Sequence, residues 1–235
     1  MARQILIVLH SQTSTPGRIG QLLKSLGYSI DIRLPFLGDV LPQTLANHAG
    51  AVILGGAMSV NDPDDWIARE IDWIGVPLKE RAPFLGICLG AQMLAKHLGA
   101  HVAPHRSGAV EIGYYPIRPT AAGHDLGPWP EQVYQWHREE FALPAGAQLT
   151  ATADVFENQA YRYGAAHGIQ FHPEVTRLTM HRWTVRGAHR FAMPGAQPRE
   201  QHLDGNLVHD APVKSWLGRF LHIWLRPAAM ARAAA

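Results

Sequence analysis

The sequence predicts an α/β protein built on a mostly parallel sheet, and three observations carry that prediction. Short β-rich runs alternate with helical patterns through the N-terminal half, as parallel βαβ units require. Apolar strands there run straight into special turns, at Gly55-Gly56 and around Cys88. From His101 to Phe171 the texture changes to short strands and turns, which adds a small antiparallel part. With 235 residues, 47% of them hydrophobic and 17% charged, one domain over residues 1–235 with a sizeable core is expected.

The elements follow in order. Ile5 to Leu9 is an apolar run with the length of a buried strand. Pro16 then opens a helix through Leu22, Leu23 and Leu26, and Gly27 stops it. Ser29 to Leu34 is a second strand. A short helix over Pro42 to His48 leads to a third strand, Ala51 to Leu54. Asn61-Asp62-Pro63-Asp64-Asp65 places acids where a helix begins, at the positive end of its dipole, so one helix is expected from Trp66 toward Lys79. Pro83 to Ile87 is a fourth strand and Leu89 to Leu98 the helix after it. Further helices are expected over Glu174 to Arg190 and Val213 to Leu225, with Pro194 to Asp210 a polar loop between them. Trp216, Phe220 and Leu221 recur at helical spacing and read as core. The alanine-rich stretch Ala228 to Ala235 is expected to fray.

Charge and cysteine content narrow the function classes. A formal charge of +2 is too small to argue for a nucleic-acid or anionic-membrane partner. No run approaches the roughly 18–20 apolar residues that span a bilayer. The single cysteine excludes an intramolecular disulfide, and nothing near Met1 resembles a secretory signal, so a cytoplasmic protein is expected.

That cysteine sits in the most informative stretch, Pro83-Phe84-Leu85-Gly86-Ile87-Cys88-Leu89-Gly90-Ala91-Gln92. A strand passes into a helix with one reactive residue at the junction and glycines two positions to either side, the pattern of a nucleophile elbow. Glycines there let strand and helix approach closely. Cys88 then lies at a helix N-terminus, where the dipole favours a thiolate, and the amide of Leu89 is placed to help hold an oxyanion. A second strand, Gly168 to Phe171, ends in His172-Pro173-Glu174. An imidazole to shuttle the thiol proton and a carboxylate to orient it are what a thiol hydrolase needs, and His172 and Glu174 are of those types.

Gly-Ile-Cys-Leu-Gly-Ala-Gln followed by Phe-His-Pro-Glu closely resembles the class I (triad-type) glutamine amidotransferases, above all the amidotransferase domain of GMP synthase and its free-standing relatives. The resemblance covers nearly the whole chain. It implies a flavodoxin-like doubly wound sheet, helices on both faces, and a site at the carboxyl ends of the strands. It also implies that Cys88 attacks the glutamine amide carbon to form a thioester, that His172 serves as acid and then base, and that Glu174 supports His172. The backbone amides of Gly56 and Leu89 would hold the oxyanion. The family's Gly-Gly-Pro-x-Ser segment reads Gly55-Gly56-Ala57-Met58-Ser59 here, so a loop without its proline is expected to be more mobile. Gln92 matches a family residue that contacts glutamine. Trp136-His137-Arg138-Glu139 is similar to a Ser-His-Gly-Asp segment, which implies that His137 and Glu139 bind the amino-acid end.

Such chemistry needs neither cofactor nor metal. The pair His101 and His105 would stand roughly 13 Å apart on a strand, too far to share an ion, and Asp62, Asp64 and Asp65 read better as a helix start than as a magnesium site. Arg177, Arg182, Arg186 and Arg190 read as a solvated helix face, and no role follows for Glu111. The chain contains neither a Ser-Gly-Gly-x-Asp-Ser pyrophosphatase loop nor a Walker-type loop, so released ammonia would pass to a separate synthetase or acceptor subunit. A homo-oligomer is compatible with the sequence. Two other readings stand beside this one: hydrolysis of another γ-glutamyl amide or peptide, and a regulatory or binding subunit with an idle triad.

Overall fold

The structure, a computed structural model, describes residues 4–226; the expected frayed tail Ala228–Ala235 lies outside them. The central sheet has eight strands. Its first half is parallel: β1 (Gln4–Val8) pairs with β2 (Ser29–Arg33) and β3 (His48–Ile53), and β4 (Phe84–Ile87) joins β3 to β12 (Ala166–Ile169). The second half is antiparallel, formed by β11 (Asn158–Tyr163), β10 (Gln148–Thr152) and β7 (Arg118–Pro119). Across the sheet the order is β2-β1-β3-β4-β12-β11-β10-β7. This is the flavodoxin-like order, in which the chain reverses direction across the sheet between β1 and β3. Two further antiparallel pairs lie outside it. One joins β5 (Val102–Pro104) to β9 (Glu139–Phe141), and the other joins β6 (Glu111–Pro116) to β8 (Gln132–His137). The expected antiparallel part is therefore real.

Alternation along β1 explains the layers. Side chains of a strand point to opposite faces in turn. Ile5 and Ile7 join one core cluster, with Ile19 and Leu23 of α1 (Gly17–Ser25) and Trp216, Leu217 and Phe220 of α6 (Arg199–Trp224). Leu6 and Val8 join the other, with Ile67 and Ile71 of α2 (Asp65–Trp73) and Met93 and Leu94 of α4 (Leu89–His97). Trp216, expected as core, is fully buried and packs against Phe171, Phe220 and Trp129.

Four expected element boundaries are corrected. The single helix from Trp66 toward Lys79 is two, α2 and α3 (Gly75–Glu80), because Pro77 has no N–H to give the Trp73 carbonyl. No helix forms over Pro42 to His48. Tertiary bonds hold that segment irregular: the Trp73 indole donates to Pro42 O at 2.7 Å and the Leu45 amide to Glu80 Oε2 at 2.9 Å. The polar loop expected over Pro194 to Asp210 is helical from Arg199, and α6 continues through Pro212. Its polar turns are anchored by contacts that no local pattern reveals, His202 Nδ1 to Tyr134 Oη at 2.9 Å and Asn206 to Tyr114. Finally, the helix expected over Glu174 to Arg190 is shorter, α5 (Arg177–Arg186), capped by the Thr176 hydroxyl and followed by a 3₁₀ turn over Ala188–Ala192.

No helix among the described residues is long and apolar enough to cross a membrane. Because Trp216 bridges α6 to the sheet, Trp216→Ala should destabilise the protein by about 3–5 kcal/mol, read as a lower midpoint in denaturant titration.

Candidate active site

The carboxyl ends of β1, β3, β4 and β12 meet at one rim of the sheet, and the segment that leaves each strand carries a polar or reactive group. Cys88 links β4 to α4 with φ 51° and ψ −105°, a left-handed conformation that L side chains rarely adopt. Its backbone is held from both sides. The Cys88 amide donates to Ile169 O of β12 at 2.7 Å, and its carbonyl accepts from the Gln92 amide at 3.0 Å. A Cβ on Gly86 would strike the backbone of Gly90, and one on Gly90 would strike the Ile53 carbonyl of β3. Both glycines are therefore required by close backbone approach, as the elbow pattern implied.

His172 and Glu174 follow β12 directly. The His172 amide donates to Tyr134 O at 2.8 Å, and its Nδ1 lies 2.7 Å from Glu174 Oε1, with both side chains buried. The other ring nitrogen is buried without a hydrogen-bond partner. Trp183 of α5 packs edge-on against the imidazole, ring centres 4.8 Å apart. Burial pulls the His172 pKa down, but the charges of Glu174 and then Cys88 outweigh it and raise the value to about 10. The turn is also pinned from behind by α1, whose Arg18 amide donates to Glu174 O at 2.9 Å. Gly17 is needed there, since a Cβ would meet that same carbonyl.

Gly55 closes the third side. A Cβ at this position would lie 2.8 Å from Cε1 of His172 and 3.4 Å from Cβ of Cys88, so the glycine sits against both. Among the described residues the amides of Gly56 and Leu89 donate to no protein acceptor, and Leu89 opens α4, where an amide has no partner within the helix. Below this loop lies a pair that sequence reading passed over. His10 Nδ1 contacts Gly55 O at 3.2 Å and its Nε2 contacts Glu70 Oε1 at 2.9 Å, both residues being buried. Burial disfavours charge on His10, yet the Glu70 carboxylate outweighs it and the net pKa shift is upward. A signal was available: Glu70 occupies an apolar-face position of α2 between Ile67 and Ile71.

The residues expected to bind the substrate are brought to the same place. Gln92 donates to Glu139 O at 3.1 Å and to Gln170 Oε1 at 3.2 Å. The Glu139 carboxylate accepts from Ser59 Oγ at 3.0 Å, tying it to the Gly55–Ser59 loop. His137 uses both ring nitrogens, one on Glu139 O and the other on Glu111 Oε2, each at 3.1 Å. This also finds a place for Glu111: it is buried under His137 and accepts from Gln159 at 2.9 Å. Asp62 accepts from the Ser59 amide at 2.9 Å, and Asp64 stands at the start of α2 without a side-chain cap.

A cavity of about 360 Å³ opens over these groups, lined by Cys88, His172, Glu174, Gly55, Gly56, Gln92, His137 and Glu139. The expected arginine face is solvent-exposed at Arg177, Arg182 and Arg186, and Arg182 and Arg186 of α5, with Arg190 beyond it, also line the cavity.

This architecture has counterparts among known proteins. Residues 11–186 match the family model described as "Glutamine amidotransferase class-I". A glutamine-hydrolysing GMP synthase subunit from Thermoplasma volcanium is 30% identical over 161 residues, which is 66% of this chain and 75% of that protein. A glutamine amidotransferase-like protein of Salmonella typhimurium is 29% identical over 180 residues, covering 72% of this chain and 74% of that one. The crystal structure of a glutamine amidotransferase from Thermotoga maritima superposes with a TM-score of 0.86 at 29% identity, covering 96% of this chain and 99% of that one. A glutamine amidotransferase from Methylobacillus flagellatus gives a TM-score of 0.89 at 26% identity, over 96% and 95% of the two chains. A strand-end cysteine on an elbow, a match through most of the chain and the same fold throughout lead to one conclusion: this chain belongs to the class I glutamine amidotransferase family.

Proposed function

We propose that this chain hydrolyses the side-chain amide of glutamine through a Cys88 thioester and passes ammonia to a separate acceptor subunit. The observation that carries the reading is the pairing of a left-handed Cys88 with a buried His172–Glu174 couple on the neighbouring strand end. The sulfur of Cys88 attacks Cδ, and the amides of Gly56 and Leu89 receive the developing oxyanion. His172, protonated at neutral pH because Glu174 and Cys88 favour its charged form, gives its proton to the departing nitrogen. It then takes one from water as the thioester is hydrolysed to glutamate. Glu174 fixes the ring through Nδ1. Gln92, His137 and Glu139 form the wall that receives the amino-acid end of glutamine, with the Glu139 carboxylate facing the α-ammonium. The Thermoplasma volcanium relative is by name one subunit of its synthase, which supports a separate acceptor.

Incubating the protein with glutamine should release glutamate, and Cys88→Ala should lower that rate by about 10²–10⁴-fold; turnover that survives Cys88→Ala would overturn the mechanism. The pH profile adds a second check. His172 is raised to about 10, so its proton persists through neutral pH and is lost only as pH climbs toward that value. Activity should therefore fall on the alkaline side. Glu174→Gln removes the leading cause of the upward shift and should move that limb to lower pH. Glu70→Gln takes away the charge that holds His10 against Gly55, and should lower kcat about tenfold with little change in KM, a smaller loss than removing an oxyanion donor outright.

A further inference from the structure

The cavity wall beyond Cys88 carries a cluster of cationic side chains. Arg138, Arg182, Arg186 and Arg190 all line it, with His189 beside them. The first three and His189 are exposed, and Arg190 is half-buried. None of the four arginines is in an ion pair among the described residues. The acids of the same wall are otherwise engaged, Glu174 with His172 and Glu139 with Ser59. Arg186 donates only to the Thr13 hydroxyl, at 3.0 Å across the cavity mouth. Guanidinium groups free of ion pairs that line one cavity are a ready receptor for a carboxylate or another anion.

The position of this rim says which end of a substrate it meets. Trp183, on the same helix as Arg182 and Arg186, packs against His172, the group that must hand its proton to the leaving amine. On the function proposed above, the amino-acid end of a γ-glutamyl group is instead met by Gln92, His137 and Glu139. Ammonia, the amine released from glutamine, carries no anion for the rim to hold. Resting on the reading of Cys88 and His172 given above, we infer that the arginine rim is a subsite for an anionic group on the amine side of the scissile bond. A γ-glutamyl amide of an amino acid is then a second substrate beside glutamine, favoured over the same amide without the terminal charge. The chemistry balances: the Cys88 sulfur bonds to Cδ as the Cδ–N bond breaks, and the amine of the amino acid leaves with the proton that Cys88 gave up. Water then supplies hydroxyl to Cδ and a proton to sulfur.

Three substrates separate the outcomes: glutamine, γ-glutamylglycine and γ-glutamylglycinamide, the last two differing in the charge of the terminal group. Wild type should show kcat/KM about tenfold higher for γ-glutamylglycine than for the glycinamide, and the preference should shrink as salt is added. In the double variant Arg182→Gln, Arg186→Gln the preference should vanish while glutamine turnover stays within about twofold of wild type. Equal rates on the two amides, or a preference that survives the double variant, would overturn the subsite. So would an equal loss on glutamine, which would place the α-carboxylate at the rim. If wild type turns over glutamine but shows no charge preference, the subsite alone fails; if Cys88 supports no turnover of any of the three, the proposed hydrolysis fails. Calorimetric titration of Cys88→Ala then still tests the rim, which requires tighter binding of γ-glutamylglycine than of the glycinamide.

Discussion

Everything at the strand ends depends on the backbone at Cys88. A non-glycine residue held at positive φ costs on the order of 1–3 kcal/mol, and it persists only where its surroundings leave no alternative. Here the surroundings are β3, β12 and the first turn of α4. β12 accepts the Cys88 amide, α4 takes its carbonyl, and the Ile53 carbonyl of β3 lies where a side chain on Gly90 would have to go. The strain is distributed into a parallel sheet buried on both faces. That is why Cys88 sits on a rigid element rather than on a mobile loop.

Around this point a second layer of buried polar groups aims the first. Glu70 holds His10, and His10 holds the Gly55 carbonyl; Glu111 holds His137, and the Glu139 carbonyl meets its other nitrogen. Arg18 secures the carbonyl of Glu174 from below. The loop that lacks the family proline is thus tied at both ends, through His10 at Gly55 and through Glu139 at Ser59. Buried charges are tolerated only when paired, and these contacts also fix the backbone carbonyls of Gly55, Glu139 and Glu174.

Much of this was legible because it is written locally. Apolar runs of strand length, a proline before one helix and a glycine after it, and glycines spaced about a lone cysteine are short-range constraints, readable within a few residues. The strands β1 to β4, the elbow, the pairing of His172 with Glu174 and the buried helix face around Trp216 all follow from them. The misplaced helices failed for the opposite reason. The segment at Pro42–His48 is held irregular by Trp73 and Glu80, and the polar first half of α6 is held helical by Tyr114 and Tyr134. In both, distant partners outweigh local propensity.

The sequence by itself determined the candidate groups: a cysteine on an elbow, an imidazole and a carboxylate two positions apart, and a parallel sheet to carry them. Only the tertiary structure decided what surrounds those groups. It brought His10 onto Gly55, placed Glu111 beneath His137, and set two arginines of α5, solvent-exposed as expected, along the cavity. The physical reason is reach. A strand, a turn or a cap is specified by neighbours in the chain, whereas a buried ion pair or a charged cavity wall joins residues that become neighbours only when separate elements pack.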